Sequence, residues 1–431
     1  MTDWRPTTWD KPRRLHRAAA QCFSPLSSPC SVNGNPRLAV DGSRQSVSSR
    51  RRRCGRTRRS AWLLLSSFFL LAIPAWATPP TNAEPYDDLA RRLRSIAGEG
   101  HQLLDTGHFI IWFDTPRELV TPLVGRLEGT YNAILAFCEM SSIPVEPLER
   151  RMGVVLFDDQ AEFSRYRVQA GVASSSIAGF YSPQTNLSVF GNTLNRDDFR
   201  QVTTLIEDSV SELRALGGSS ARGGRQQALE VQIASLRAQR DALVERFNRF
   251  VIQHEAAHQL FFNLGVHVPG ADNPAWLVEG LACQFEIPQG RRDGILGRIN
   301  HVRLADLRES LGMKNAERRL GADRLRAALA GGRLLPLRRL VSESDVFSAG
   351  PSELVYRYAQ AWSLVFYLHR AHRDSFVRYL LRLRDLPPGQ PYTPERRLAE
   401  FSELIGDPDE AFERLWADYM ARVRFDPKEA G

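Results

Sequence analysis

In the stretch QHEAAHQL, Gln253 to Leu260, two histidines stand four residues apart with a glutamate directly after the first. On an α-helix, positions i and i+4 share a face, so His254 and His258 can turn both imidazoles toward one ion while Glu255 stands beside it. The alternative is a pair of ordinary core histidines. Nine histidines in 431 residues make a chance H-E-x-x-H uncommon, on the order of one in a hundred. A catalytic zinc needs a third protein ligand and keeps a fourth position for water. The three-histidine pattern H-E-x-x-H-x-x-G-x-x-H is excluded, because Phe261 and Leu264 occupy its glycine and third-histidine positions. His267 would have to return to the ion through a very tight reversal. Asp272 sits in the loop Pro269 to Pro274, where capping is its commoner role. Glu279 differs: it lies in PAWLVEGLACQF, Pro274 to Phe285, an apolar segment in which an unpaired carboxylate would be costly. The 21 residues from His258 to Glu279 leave room for a loop and a second helix packed on the first.

The elements needed to position these groups are legible around them. Phe250, Val251, Ile252, Leu260, Phe261 and Phe262 flank the histidines with enough apolar surface to bury their helix. That helix reads from about Arg225 to Leu264, with Leu229, Ile233, Leu236, Leu243 and Phe247 at three- and four-residue steps. Residues 199 to 216 read as a shorter helix, joined to it through the glycine-rich 217–224, so that the two arms form a helical hairpin. Upstream, His108 to Phe113 reads as a buried strand, Pro116 to Cys138 as a helix, Met152 to Phe157 as a strand and Ala161 to Val168 as a short helix. The run GFYSPQTNLSVF, Gly179 to Phe190, places turn residues between two apolar stretches. It reads as a hairpin, either simply packed or presenting an edge strand along a cleft. Beyond Glu279 the pattern is helical, with amphipathic stretches over 352–383 and 396–424 separated at Pro387 and Pro388.

Charge is distributed unevenly. Residues 1–60 carry 14 Lys/Arg against 3 Asp/Glu, leaving 43 against 46 for the rest, so the basic character belongs to the leader and argues against a nucleic-acid partner for the folded body. The leader has the order of an export signal: a basic run at Arg50–Arg59, an apolar run of 13 residues from Ala61 to Ile73, and Ala75-Trp76-Ala77 as a cleavage site. The apolar run is short for a membrane span and Pro74 ends it; membrane contact is expected only if this segment stays uncleaved. A mature chain from Thr78 retains two of the five cysteines, Cys138 and Cys283, either paired or buried as apolar residues.

HEAAHQLFFNLG followed by PAWLVEGLACQFE resembles the zinc peptidases of the gluzincin group. More narrowly, the chain resembles a family of secreted bacterial proteins known mainly as predicted gluzincin-like peptidases, over most of its mature length, including a GFY-x-P-x-TN hairpin matched by Gly179 to Asn186. The resemblance implies that His254, His258 and Glu279 hold one Zn²⁺, with Glu255 as general base. Zinc lowers the pKa of a bound water, and the adjacent carboxylate takes its proton and returns it to the leaving amine. The segment Val355 to Phe366 resembles the tyrosine-bearing helix of gluzincin aminopeptidases, which implies Tyr358, with Tyr356 second, as a donor to the oxyanion. The chain departs from that group at Val278, where many members have Asn, and at Cys283, where many have an acid that orients a ligand histidine. Glu286 replaces that acid only if its helix runs on so far.

The expected fold is therefore α+β and zincin-like. Residues 1–77 are a leader and signal peptide, 78–198 a mixed α/β layer with an edge hairpin, and 199–252 a helical hairpin insert. Residues 253–290 hold the metal-site helices, and 291–431 a mostly helical part. The expected function is an exported zinc metallopeptidase acting on a peptide or protein substrate in the envelope or outside the cell; the alternative is a noncatalytic cleft protein that holds a peptide or protein partner.

Overall fold

Apolar runs bounded by turn residues build a small sheet first, and helices then cover both of its faces. The computed structural model describes residues 86–97, 100–148, 150–172, 177–215, 223–287, 298–313 and 317–429. The leader, its export signal and most of the 217–224 joint lie outside them. No helix among the described residues is long and apolar enough to cross a membrane. The fold is α+β and mostly helical, with thirteen α-helices and one mixed five-stranded sheet among the described residues.

The sheet runs β1 (Gln102–Asp105), β2 (Phe109–Phe113), β3 (Met152–Phe157), β5 (Leu187–Gly191), β4 (Gly179–Ser182) from edge to edge. β1 pairs antiparallel with β2, β2 and β5 lie parallel to β3 on either side, and β4 returns antiparallel along β5 as the outer strand. β2 and β3 are buried along their whole length, as strands covered on both faces must be. Their alternate side chains feed two cores. Phe109, Ile111, Phe113, Val154 and Leu156 join the large core with α2 (Arg117–Ser141) and α5 (Gly223–Asn263). Ile110, Trp112, Val155 and Phe157 join a smaller one under α1 (Tyr86–Ala97) and α3 (Gln160–Gln169).

α4 (Asp197–Ala215) packs along the N-terminal half of α5, giving the expected helical hairpin. With 41 residues, α5 spans about 60 Å. Its N-terminal half buries only a stripe that includes Leu229 and Ile233, whereas residues 250–262 are buried on every side. The helix is unbroken at residue 252, so hairpin arm and metal-site helix are one rod.

After α5, a turn at Gly265 (φ +70°) leads to α6 (Ala275–Ala282), followed by α7 (His301–Ser310), α8 (Ala322–Ala330), α9 (Leu337–Ser342), α10 (Pro351–Ala371), α11 (Arg373–Leu383), α12 (Pro394–Leu404) and α13 (Glu410–Met420). Each amphipathic stretch read at 352–383 and 396–424 is in fact two helices. α10 stops at His372, whose Nε2 lies 2.9 Å from the Tyr367 hydroxyl, and α12 stops before Gly406 (φ +133°) and Pro408. Amphipathic spacing continues across both corners because each pair of helices covers the same core. Cys138 and Cys283 are free, buried thiols.

Candidate metal centre

Two neighbouring stripes of α5 carry the site. His254 and His258, one turn apart, face α6. Glu255, Gln259 and Asn263, each one turn from the next, face the β4–β5 hairpin. The hairpin stripe fixes the helix against the sheet. Gln259 Nε2 donates to the Gly153 carbonyl at 3.0 Å and the Asn186 carbonyl at 2.9 Å, while Ser188 Oγ donates to Gln259 Oε1 at 2.8 Å. Asn186, at φ +52° in the turn, exchanges amide hydrogen bonds of 2.8 and 2.9 Å with Asn263. The Tyr181 N–H on the edge strand donates to Glu255 Oε2 at 2.8 Å. Glu255 is wholly buried, and its Oε1 has no hydrogen-bond partner.

The other stripe meets Glu279. Gly280 makes that approach possible: a Cβ there would lie 2.6 Å from Val365 Cγ2 and 2.7 Å from the Ala361 carbonyl oxygen, so α6 sits directly on α10 only without a side chain at this position. Three atoms then converge. His254 Nε2 and His258 Nε2 are 3.0 Å apart, and Glu279 Oε2 is 3.2 Å from the first and 3.3 Å from the second. Ligand atoms about 2.0–2.1 Å from a tetrahedral zinc are separated by about 3.3 Å. The buried His254–His258–Glu279 group can therefore bind a metal ion with little rearrangement of its side chains.

Glu286 completes the surroundings. α6 ends at Ala282 and the chain turns instead of running on as helix, yet that turn brings Glu286 Oε1 to 2.8 Å from His254 Nδ1. Arg303, from α7, donates to both oxygens of Glu286 at 2.8 and 2.5 Å, and Asn300 Nδ2 donates to Oε2 at 2.8 Å. The guanidinium lies between the rings of Phe250 and Tyr358, 4.7 and 5.0 Å from their centroids. A carboxylate acceptor at Nδ1 requires the proton on that nitrogen, so Nε2, which faces His258 and Glu279, is the nitrogen that would give up its proton to a metal ion. The acid missing at Cys283 is thus supplied from three residues later.

The electrostatics follow from this packing. Burial opposes charge on His254, but its hydrogen bonds to Cys283, Glu279 and Glu286 hold its pKa well above the ordinary imidazole value. Burial and the neighbouring His254 push His258 down, against Glu279. Despite burial, the two histidines pull the Glu279 carboxyl down to about 2, so it is ionised. Burial, then Glu279 and Glu286, push Glu255 up to about 8, against His254 and the Tyr181 N–H.

The remaining sequence candidates separate clearly. Tyr358 is fully buried with its ring centroid 6.0 Å from that of His254. Tyr356 is half-buried on the side of α10 that faces Asp306 and Glu309. His267 is buried against Phe261 and Phe262 and is not in the metal-binding group. Asp272 caps no helix: it accepts from the Tyr392 N–H at 3.0 Å and from Arg397 at 2.6 Å, tying the loop before α6 to the segment entering α12. Sequence reasoning missed Gln259, Asn263, Asn300 and Arg303. The first two could have been found by extending the Glu255 face by one and two turns. Arg303 carries no local signal, because an arginine in an otherwise ordinary helix reads as surface.

Against known proteins, a family model described as "Protein of unknown function (DUF1570)" matches residues 250–389, from the last turns of α5 to just beyond α11. No curated protein and no solved structure matches the chain.

Proposed function

We propose that the protein is an exported zinc metallopeptidase of zincin-like, gluzincin type. The observation that carries this reading is the 3.0–3.3 Å triangle of His254, His258 and Glu279 with the Glu255 carboxylate next to it on the same helix. A zinc ion held there would supply Lewis acidity toward a carbonyl and lower the pKa of a water in its open position. Glu255 accepts a proton from the attacking water and returns it to the leaving amine. Burial raises its pKa, which favours returning the proton, and a cation held beside it would favour the carboxylate form that accepts it. Glu286 and Arg303 keep the His254 ring from rotating. Tyr358, packed against His254, is the proposed donor to the developing oxyanion. β4 is the outer strand of the sheet and holds Glu255 through its Tyr181 N–H, which supports an extended peptide laid along this edge.

The test compares purified mature chain with Glu255→Gln in metal analysis and in a peptide-library digest. Both proteins should retain zinc at His254, His258 and Glu279, and only the wild type should cleave. Undiminished cleavage by Glu255→Gln refutes the mechanism.

A further inference from the structure

A second constellation lies on the other side of the sheet, away from α5. His101 precedes β1, Asp114 follows β2, and Glu162 stands in the first turn of α3. Because β1 runs antiparallel to β2, with Gln102 opposite Phe113, His101 and Asp114 meet at one end of the sheet. One ligand atom from each of His101, Asp114 and Glu162 lies within 4.8 Å of the others. The His101 side chain is only 3% exposed, and neither ring nitrogen has a hydrogen-bond partner among the described residues. Burying two unsatisfied imidazole nitrogens is costly, yet the ring is held firmly: it stacks on Trp112 at 6.2 Å and 6°, with Phe157 edge-on at 6.0 Å.

The orientation of the ring explains what it is for. His101 Nε2 points at Asp114 Oδ2, 3.7 Å away, beyond hydrogen-bonding distance. The other oxygen, Asp114 Oδ1, is already engaged by the Asp158 N–H at 2.6 Å, so the backbone after β3 aims Oδ2 at the imidazole. Glu162 is the adjustable member. It is half-exposed and, among the described residues, pairs with the exposed Arg165 at 3.2 Å; a bound cation would draw it from within 4.8 Å to the roughly 3.3 Å spacing that ligands of a four-coordinate first-row cation adopt.

We propose that His101, Asp114 and Glu162 bind a second divalent cation. One imidazole and two carboxylates form a mixed nitrogen and oxygen set, suited to zinc or manganese. The ion satisfies the buried imidazole and clasps the start of β1, the end of β2 and the first turn of α3. This inference does not depend on the peptidase reading, since no residue is shared between the two clusters.

The experiment titrates metal-free, full-length chain with Zn²⁺ by calorimetry and counts bound zinc after gel filtration. Wild type should bind two equivalents. Asp114→Asn keeps an oxygen to accept the Asp158 N–H, and Glu162→Gln alters a half-exposed side chain. Each should lose one equivalent, or weaken one step at least tenfold, while retaining the far-ultraviolet circular dichroism of the wild type. Glu279→Gln should lose the other equivalent and keep this one, and added Zn²⁺ should still raise its Tm unless Glu162→Gln is combined with it. If zinc binding at His254, His258 and Glu279 alone fails, a single equivalent remains that responds to Asp114→Asn and not to Glu279→Gln. Isotherms of Asp114→Asn and Glu162→Gln that superimpose on wild type overturn the second site.

Discussion

Replacing Glu286 by Gln tests whether a residue outside the metal-binding group controls it. Glu286 accepts four hydrogen bonds with its two oxygens: His254 Nδ1 and Arg303 Nη2 on Oε1, Asn300 Nδ2 and Arg303 Nε on Oε2. A glutamine amide offers one acceptor oxygen, so its NH2 group must face two donors whichever way it is placed. The loss of charge also leaves the Arg303 guanidinium, 1% exposed, with Asp306 at 3.5 Å as its remaining acidic partner. Breaking a buried pair by removing one partner costs about 3–5 kcal/mol; with Asp306 still present, the lower end, about 3 kcal/mol, is expected. Freed from its carboxylate, His254 loses the fixed tautomer and ring orientation, and metal affinity should fall roughly 10- to 100-fold, as it does on loss of such outer partners.

The two effects are separable. Urea denaturation of metal-free protein reads the first, and competition with a chromogenic zinc chelator reads the second. Adding Arg303→Met to Glu286→Gln removes the stranded charge while leaving an apolar side chain between Phe250 and Tyr358. The double variant should regain most of the lost stability but none of the zinc affinity. If Glu286→Gln binds zinc as tightly as wild type while unfolding more easily, Glu286 is a structural anchor only, and the account of His254 orientation is refuted.

Two further outcomes follow from the packing. Gly280→Ala forces a methyl against Val365 Cγ2 and the Ala361 carbonyl oxygen; overpacking of this kind costs about 1–3 kcal/mol, and because Glu279 is the adjacent residue, zinc affinity should fall with the urea midpoint. A midpoint equal to wild type would show that α6 and α10 are not in firm contact. Burial, with the nearby His258 adding to it, pushes His267 down to about 3, whereas the unfolded chain titrates near the ordinary value of about 6.5. The unfolded state therefore takes up the proton first, and stability is lost as pH falls from about 6.5 toward 3, with a slope of up to about 1.4 kcal/mol per pH unit. His267→Phe should flatten this part of the profile between pH 7 and 4, and midpoints that run parallel to wild type would rule the imidazole out as the cause.

What was legible in the sequence follows from how local its signal is. β3 was read to the residue, Met152 to Phe157, because six apolar residues between polar flanks have one reading. α5 was read to within two residues at its N-terminus and one at its C-terminus, because its pattern persists for eleven turns. β1 and α1 were not read at all: QLLD is four residues with two exposed ends, and α1, with five charged residues among its 12, buries only a narrow side against the small core. Glu279 was found from the cost of burying an unpaired acid, whereas Glu286 was read as a replacement acid only on a continuing helix, and it is a turn after α6 that brings it to His254. Charge cost alone states that a buried acid needs a partner; which partner depends on chain reversals, and here one reversal supplies the cation from α7. His101 shows the same limit from the other direction. As a single histidine next to a four-residue strand it carries no pattern, and only the antiparallel return of β1 along β2 brings it to Asp114. Sites built within one helix, like His254 and His258, announce themselves by spacing, while sites built across a sheet end become visible only once strand register is known.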